Sequence, residues 1–358
     1  MPDKFTSRER FARMYQHKDA DRVPILDYPW GPTIERWKRE GMPENISWVD
    51  YFGTDHVFTI YNDNSPRYDW KLIEETEDYA ITVSNWGVTM KGWKHQASTP
   101  EFLDFKVTDR ESWQDAKERM TPSRDRIDWE RLKNSYRKSR DEQGAWINAE
   151  LWFGFDVTHS WFVGTERVLM ALIEDPEWCL DMFNRELELN LAHLEMIWDE
   201  GYHFDEMSWP DDMGYKNNLF FSVNKYVDML KPLHKKVIEW AHQKGVVVRL
   251  HSCGDITPLV PHFYEIGLDG LNPLEVKAGV NPVKLKKKFG DKMTFHGGIN
   301  AVLWDDKDAI TEEIKRVLPV MKENGGYIFA SDHSIPDAVS LENFRHIIAT
   351  VKELGGYE

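Results

Sequence analysis

The sequence predicts an α/β protein, a (β/α)8 TIM barrel with N-terminal helices and a hairpin and helical insertion between strands two and three. Three observations predict it. Eight strand-like runs are spread through 358 residues. Helical patterns separate most of them, the alternation of a parallel sheet wrapped by helices. No glycine-rich phosphate turn follows the first run, as a doubly wound open sheet would normally show.

The strands are expected near Val23–Asp27, His56–Tyr61, Trp146–Glu150, Phe204–Ser208, Val246–His251, Leu268–Asn272, Met293–His296 and Tyr327–Ser331. Helices announce themselves by their ends. Thr6-Ser7-Arg8-Glu9 is a capping-box pattern ahead of Phe11, Met14 and Tyr15. Asp175-Pro176 opens a long helix whose apolar face runs Leu180, Phe183, Leu187, Leu191, Leu194 and Trp198, and Gly201 stops it. Ser222 opens another, Gly245 closes it, and Pro232 is expected to kink it. Asn281-Pro282 starts a short helix ending near Gly290, Asp305–Asn324 ends at Gly325-Gly326, and Ser340–Leu354 ends at Gly355-Gly356. Between strands two and three, Tyr79–Ser84 and Val88–Trp93 flank Asn85-Trp86-Gly87 as a hairpin, and a polar helix spans roughly Asp109–Glu142. The span 1–358 therefore reads as one barrel domain with an insertion at about 63–143.

Composition excludes several function classes. Lys+Arg is 45 against Asp+Glu 61, a formal net charge of −16. That field repels nucleic acid and anionic membrane and does not favour a polyanionic substrate. No apolar run approaches the roughly 18 residues of a membrane helix. The opening Met1-Pro2-Asp3-Lys4-Phe5 lacks a signal-peptide pattern, and only Cys179 and Cys253 are cysteines. A cytoplasmic protein without a disulfide framework is expected. The 16 Trp, 18 Phe and 13 Tyr argue against disorder.

A barrel places its site at the carboxyl ends of its strands. There the sequence sets Asp27, Tyr28 and Trp30; Tyr61 and Asn62; Glu150 and Trp152; Trp209, Asp211 and Asp212; His251 and Cys253; Asn272 and Glu275; His296; and Asp332 and His333. Polar groups at nearly every strand end are costly if simply buried, so their accumulation at one rim favours a site.

The sharpest pattern is His251-Ser252-Cys253-Gly254. Alternate residues of an extended segment face the same way, so His251 and Cys253 can face one ion. Imidazole with thiolate suits zinc, His333 is the best-placed third ligand, and three protein ligands leave an open catalytic position. A lone H-x-C also occurs freely in cores. Asp211-Asp212 reads either as a pair sharing acid and base roles or as a cap. Glu150 suits an acid or a zinc ligand. Trp152 reads as pocket wall or core, and His296 as a ligand contact or a backbone bond. Cys179, His159, His193, His234, His242, His262 and His346 read as structural.

Taken together these residues resemble the uroporphyrinogen decarboxylase superfamily, on its cobalamin-dependent methyltransferase side. The likeness runs through Ser7-Arg8-Glu9-Arg10-Phe11, Asp21-Arg22-Val23-Pro24, Asp211-Asp212-Met213-Gly214-Tyr215, His251-Ser252-Cys253-Gly254, Gly297-Gly298-Ile299, Gly326-Tyr327-Ile328 and Leu341-Glu342-Asn343. The resemblance implies a (β/α)8 barrel and, on the methyltransferase side, zinc held by an H-x-C pair and a later Cys. His251 and Cys253 match the pair, and His333 falls where the later Cys would be. Cys253, together with Asp27-Tyr28-Pro29-Trp30-Gly31 in place of the decarboxylases' arginine-bearing N-terminal motif, separates this chain from them.

The expected function is zinc-dependent transfer of a methyl group between a small substrate of methoxyarene, methylamine or thiol type and the cobalamin of a separate corrinoid protein. No D-x-H-x-x-G for holding a corrinoid occurs in the chain itself. Zinc would rest on His251, Cys253 and His333. Asp211, Asp212 and Glu150 would move protons, and Asp27, Tyr28, Trp152, Trp209, Tyr215 and His296 would face substrate. A homodimer is compatible with this reading. The alternative is a cofactor-free decarboxylase of a small aromatic or tetrapyrrole acid.

Overall fold

Seven of the eight expected strands pair side by side, all parallel, in a computed structural model of the chain. It describes residues 4–95 and 99–357, so the expectation resting on Met1-Pro2-Asp3 lies outside the described residues. The lateral order is Val57–Ile60, Trp146–Glu150, Glu206–Pro210, Val247–His251, Gly270–Asn272, Thr294–His296, Tyr327–Ile328, which is also chain order. Residues 23–27 sit between the two ends of this curled sheet. On one side the Leu26 N–H donates to the Phe329 carbonyl, and the Phe329 N–H to that of Pro24. On the other, the Asp55 N–H donates to the Ile25 carbonyl. The segment makes bridges instead of a continuous ladder because Pro24 and Pro29 offer no N–H.

A buried ion network fastens that closure. Asp55, 2 % exposed, accepts from Arg10, from Arg22 at 2.7 Å and from the Ile25 N–H at 2.7 Å. Arg10 also reaches Asp21 at 2.8 Å. The Arg10 and Asp21-Arg22 motifs thus do structural work, tying the first helix and first segment to the second strand.

Helix Ser7–Tyr15 has the expected Thr6–Glu9 capping box. It lies over the amino-terminal end of the barrel, where Phe11 and Tyr15 stack on Trp146. Inside, Glu206 accepts from Tyr15 at 3.0 Å, from Trp146 at 2.7 Å and from Arg249 at 2.6 Å, so the buried charges there are matched. Helix Pro176–Asp199 begins at the Asp175 cap and buries Cys179, whose thiol burial pushes up to about 12, along with Phe183, Leu187 and Leu194. Before Pro232 the helical path widens into a π turn at Tyr226–Leu230 and continues as Lys231–Gln243. The proline offers no N–H to a regular ladder, so the kink takes this form. No helix among the described residues is long and apolar enough to cross a membrane.

The insertion is richer than a hairpin plus one helix. Lys71–Glu75, Tyr79–Val83, Val88–Trp93 and Glu101–Phe105 form a four-stranded antiparallel sheet in that order. The two edge strands escaped sequence reading because Lys71–Glu75 is exposed throughout and Glu101–Phe105 nearly so, without an apolar alternation. The expected helix Asp109–Glu142 is corrected to Arg110–Arg119 and Trp129–Arg137, separated around Pro122, followed by a π turn at Lys138–Glu142.

One buried cation gives a pH test. Lys286, 8 % exposed, donates to the Gly325 carbonyl at 2.6 Å, and burial pulls its ammonium from the usual 10.5 to about 8. Between those values the unfolded chain binds more protons than the folded one, so stability rises with pH. Denaturant unfolding is expected to show wild type gaining on Lys286→Met from about pH 8 to 10.5, with parallel curves counting against it.

Candidate active site

The carboxyl ends of the strands carry two adjoining loops that bring the chemistry together. Strand Glu206–Pro210 runs into Asp211-Asp212-Met213, and strand Val247–His251 into Ser252-Cys253-Gly254. The loops are stitched to each other. The Asp211 N–H donates to the His251 carbonyl at 2.8 Å, the Met213 N–H to Ser252 Oγ at 3.1 Å and the Cys253 N–H to Asp212 Oδ1 at 2.7 Å. Gly254 passes so close to Gly214 that a Cβ would lie 2.2 Å from the Gly214 carbonyl carbon, with φ +81°. Only glycine permits that approach.

The result is a three-donor cluster. Asp212, His251 and Cys253 offer oxygen, nitrogen and sulfur atoms that all lie within 4.8 Å of one another. His251 Nε2 is 3.4 Å from Cys253 Sγ and 3.8 Å from Asp212 Oδ1. Burial raises the Cys253 thiol well above its usual range, and the carboxylates of Asp212 and Glu275 raise it further. A thiol held among carboxylates is a setting that a cation would relieve.

His333 does not enter that set. It lines the same cavity of about 620 Å³, together with Tyr215, Lys216, Glu275 and Lys277. Its ring meets Trp30 edge-on at 6.3 Å, and burial, with Lys277 and His251 nearby, lowers its pKa. Asp212, a carboxylate read from sequence as acid or cap, stands beside His251 and Cys253 instead. A larger cavity of about 750 Å³ lies between the inserted sheet and helix Thr165–Glu174, lined by Phe105, Arg110, Met170 and Trp178. It holds no comparable cluster of donors.

The other expected residues divide into two groups. Glu150 is at its strand's end. Its carboxylate has no hydrogen-bond or ion-pair partner among the described residues, and burial raises its pKa, partly offset by Arg249 and His251. Tyr28 and Tyr215 are about half exposed. Trp152 donates to Asp156 Oδ2 at 3.1 Å. The remaining four face inward. Asp211 is fully buried and accepts from His234 Nε2 at 3.0 Å and from the Asp156 N–H at 2.8 Å. Asp27 accepts from the Ser331 N–H at 2.6 Å, its hydroxyl at 3.0 Å and the Tyr28 N–H at 2.7 Å, while burial lifts its carboxyl to about 6. Trp209 is 1 % exposed and packs on Phe153 and His234. His296 is fully buried, donates from Nε2 to the Leu26 carbonyl at 2.8 Å, and burial pulls its pKa to about 3. These four brace the rim from behind.

Three further contributors had no role assigned from sequence. Asp156 is buried close to Asp212, and burial, reinforced by Asp212, pushes its carboxyl up to about 8. Asp332 accepts from the Val276, Lys277 and Ala301 N–H groups, gathering two mouth loops. Asn272 bonds His251 Nδ1. A strand-end position flagged Asn272 and Asp332 without a role, and nothing local marked Asp156.

Comparisons with known proteins agree with this architecture. Residues 159–354 match the family model for uroporphyrinogen decarboxylase (URO-D). Among curated relatives, the uroporphyrinogen decarboxylase of Helicobacter pylori strain P12 is 27 % identical over 144 residues, 40 % of this chain and 39 % of that enzyme. That of Campylobacter jejuni subsp. jejuni is 23 % identical over 187 residues, 51 % of each. The chain thus spans about two fifths to one half of the length of these relatives. A methyltransferase from Methanosarcina mazei shares the fold with a TM-score of 0.67, over 98 % of this chain and 99 % of that one, at 16 % identity.

Proposed function

The chain belongs to the uroporphyrinogen decarboxylase family, and from that premise we propose that it is a zinc-dependent methyltransferase. It would move a methyl group between a small methylated substrate and the cobalamin of a separate corrinoid protein, in a reducing cytoplasm. One observation carries the reading: an imidazole nitrogen, a thiol sulfur and a carboxylate oxygen gathered within 4.8 Å at the carboxyl end of the barrel. That mixed donor set suits zinc, and a plain decarboxylase site has no need of the thiol.

His251, Cys253 and Asp212 would hold the ion, and His333 would face the heteroatom from the shared cavity. Bound there, zinc would supply Lewis acidity that stabilises negative charge on a thiol or alcohol heteroatom, or binds the lone pair of a neutral amine. The chain's own residues then do the rest. Glu150, whose burial favours the protonated form, has a carboxyl free of other partners and can give a proton to the leaving heteroatom or take one from an acceptor. Asp211, occupied by His234 and the Asp156 N–H, positions the loop that carries Asp212. Tyr28, Trp152 and Tyr215 offer aromatic surface to a methoxyarene or methylammonium group. The corrinoid would ride on a partner protein that docks at the mouth of the barrel, since the chain has no D-x-H-x-x-G of its own.

The test is transfer itself. Purified protein with zinc, reduced cobalamin and a panel of methoxyarenes, methylamines and methyl thioethers is expected to change the corrinoid absorbance with at least one donor. A chelator is expected to abolish the change and added zinc to restore it. A second reading is favoured by the curated matches, which are uroporphyrinogen decarboxylases. Carbon dioxide release from a small aromatic or tetrapyrrole acid, indifferent to chelator, with no methyl transfer from any donor, would establish that reading instead.

A further inference from the structure

We infer that Asn272 is a positioning residue that sets the tautomer and orientation of His251, leaving Nε2 bare and turned toward Cys253 and Asp212. Its bearing on metal binding rests on the functional reading above, whereas the tautomer itself does not.

Donors and acceptors around the Asn272 side chain decide the tautomer. Asn272 ends strand Gly270–Asn272 and is the register partner of His251 on the neighbouring strand. Its side chain is buried, with the residue 7 % exposed. Nδ2 donates to the backbone carbonyl of His296 at 3.1 Å. A carbonyl can only accept, so the amide's orientation is decided there and Oδ1 is turned to His251 Nδ1. An amide oxygen can only accept as well, so Nδ1 carries the hydrogen. In the neutral ring Nε2 is then the lone-pair nitrogen, and it is Nε2 that lies 3.4 Å from Cys253 Sγ and 3.8 Å from Asp212 Oδ1.

The brace extends beyond this pair. The Asn272 backbone carbonyl accepts from the Ser252 N–H at 2.9 Å, so the residue also holds the peptide between His251 and Cys253. On its other side, His296 donates to the Leu26 carbonyl at 2.8 Å, in the segment that closes the barrel. A hydrogen-bonded chain therefore runs along three neighbouring strand ends, from His251 through Asn272 to His296, and then reaches past strand Tyr327–Ile328 to Leu26. It makes ring orientation a property of barrel closure. Both polar groups of the Asn272 side chain are engaged in this chain, Oδ1 with His251 and Nδ2 with the His296 carbonyl.

Isotope-edited NMR of the histidine ring nitrogens tests this in zinc-free protein, at a pH that keeps the ring neutral. Wild type is expected to show His251 protonated at Nδ1. Asn272→Asp, which keeps the acceptor and the shape, is expected to keep that tautomer. Asn272→Leu is expected to lose it, with a mixture of the two forms. Zinc affinity, read by competition with a chelator, is expected to fall roughly 10–100-fold in Asn272→Leu, the usual cost of losing an outer partner of a metal-bound histidine. Asn272→Asp should stay nearer wild type. A wild-type His251 protonated at Nε2, or a folded Asn272→Leu protein with the wild-type tautomer, would overturn the inference. A wild type that binds no zinc yet holds the Nδ1–H tautomer supports the inference and removes the functional reading alone.

Discussion

Cys253→Ser is expected to cost more zinc affinity than any other single substitution in the site, on the order of 100-fold or more, above the range for losing an outer partner. Thiolate is the soft donor of the set, and a serine hydroxyl stays protonated and binds zinc poorly at neutral pH. The fold should tolerate the change, because the loop is held by backbone bonds. The Cys253 N–H goes to Asp212 at 2.7 Å and the Gly254 N–H to Glu275 at 2.6 Å, and neither uses the sulfur. Asp212→Asn is expected to weaken binding less, since an amide oxygen still donates but without charge. His333→Ala should leave the ion bound and impair turnover, because His333 lies outside the group of donors gathered within 4.8 Å. Metal analysis after dialysis against a chelator checks the order. Stoichiometric zinc in Cys253→Ser, or its loss in His333→Ala with retention in Asp212→Asn, would mean that the ligand set is drawn wrongly.

The second large effect is on stability. Asp55→Ala is expected to destabilise the barrel by about 3–5 kcal/mol, the range for breaking a buried ion pair from one side. Removing this carboxylate strips Arg10 and Arg22, 1 % and 5 % exposed, of a shared buried partner and frees the Ile25 N–H. The damage falls where residues 23–27 meet the second strand, so closure of the ring is what weakens. Asp55→Asn keeps an acceptor without the charge and should lie between the two. Denaturant unfolding followed by circular dichroism measures both. A loss below about 1 kcal/mol, the worth of an ordinary surface pair, would show that the network contributes little.

These two sites differ in how visible they were beforehand. The helix boundaries were readable because caps are local: Thr6, Asp175, Asn281 and Ser340 each cap by accepting from the N–H three positions on. The H-x-C pair was readable for the same reason, since alternation continues from the end of strand Val247–His251 into the extended residues after it and brings His251 and Cys253 together. The inserted sheet was half readable. Its inner hairpin carries turn residues and packs Trp86 against Trp152 and Phe162, while its outer strands carry no apolar pattern. Asp21-Arg22 was recognisable as a motif, but its work depends on Asp55, more than thirty positions away.

By itself the sequence determined the alternation of strands and helices, the strand ends at Glu150, His251, Asn272 and His296, and the nitrogen and sulfur of the candidate centre, because each follows from periods of two and three to four residues. Only the tertiary structure decided that Asp212 stands third in the cluster, that His333 stands apart from it, and that Asp27, Trp209 and His296 turn inward. It alone made Asn272 the partner of the His251 ring. Those choices depend on which strands become neighbours, in what register, and how a curved sheet directs each side chain, and these are distances across the fold that no local pattern encodes.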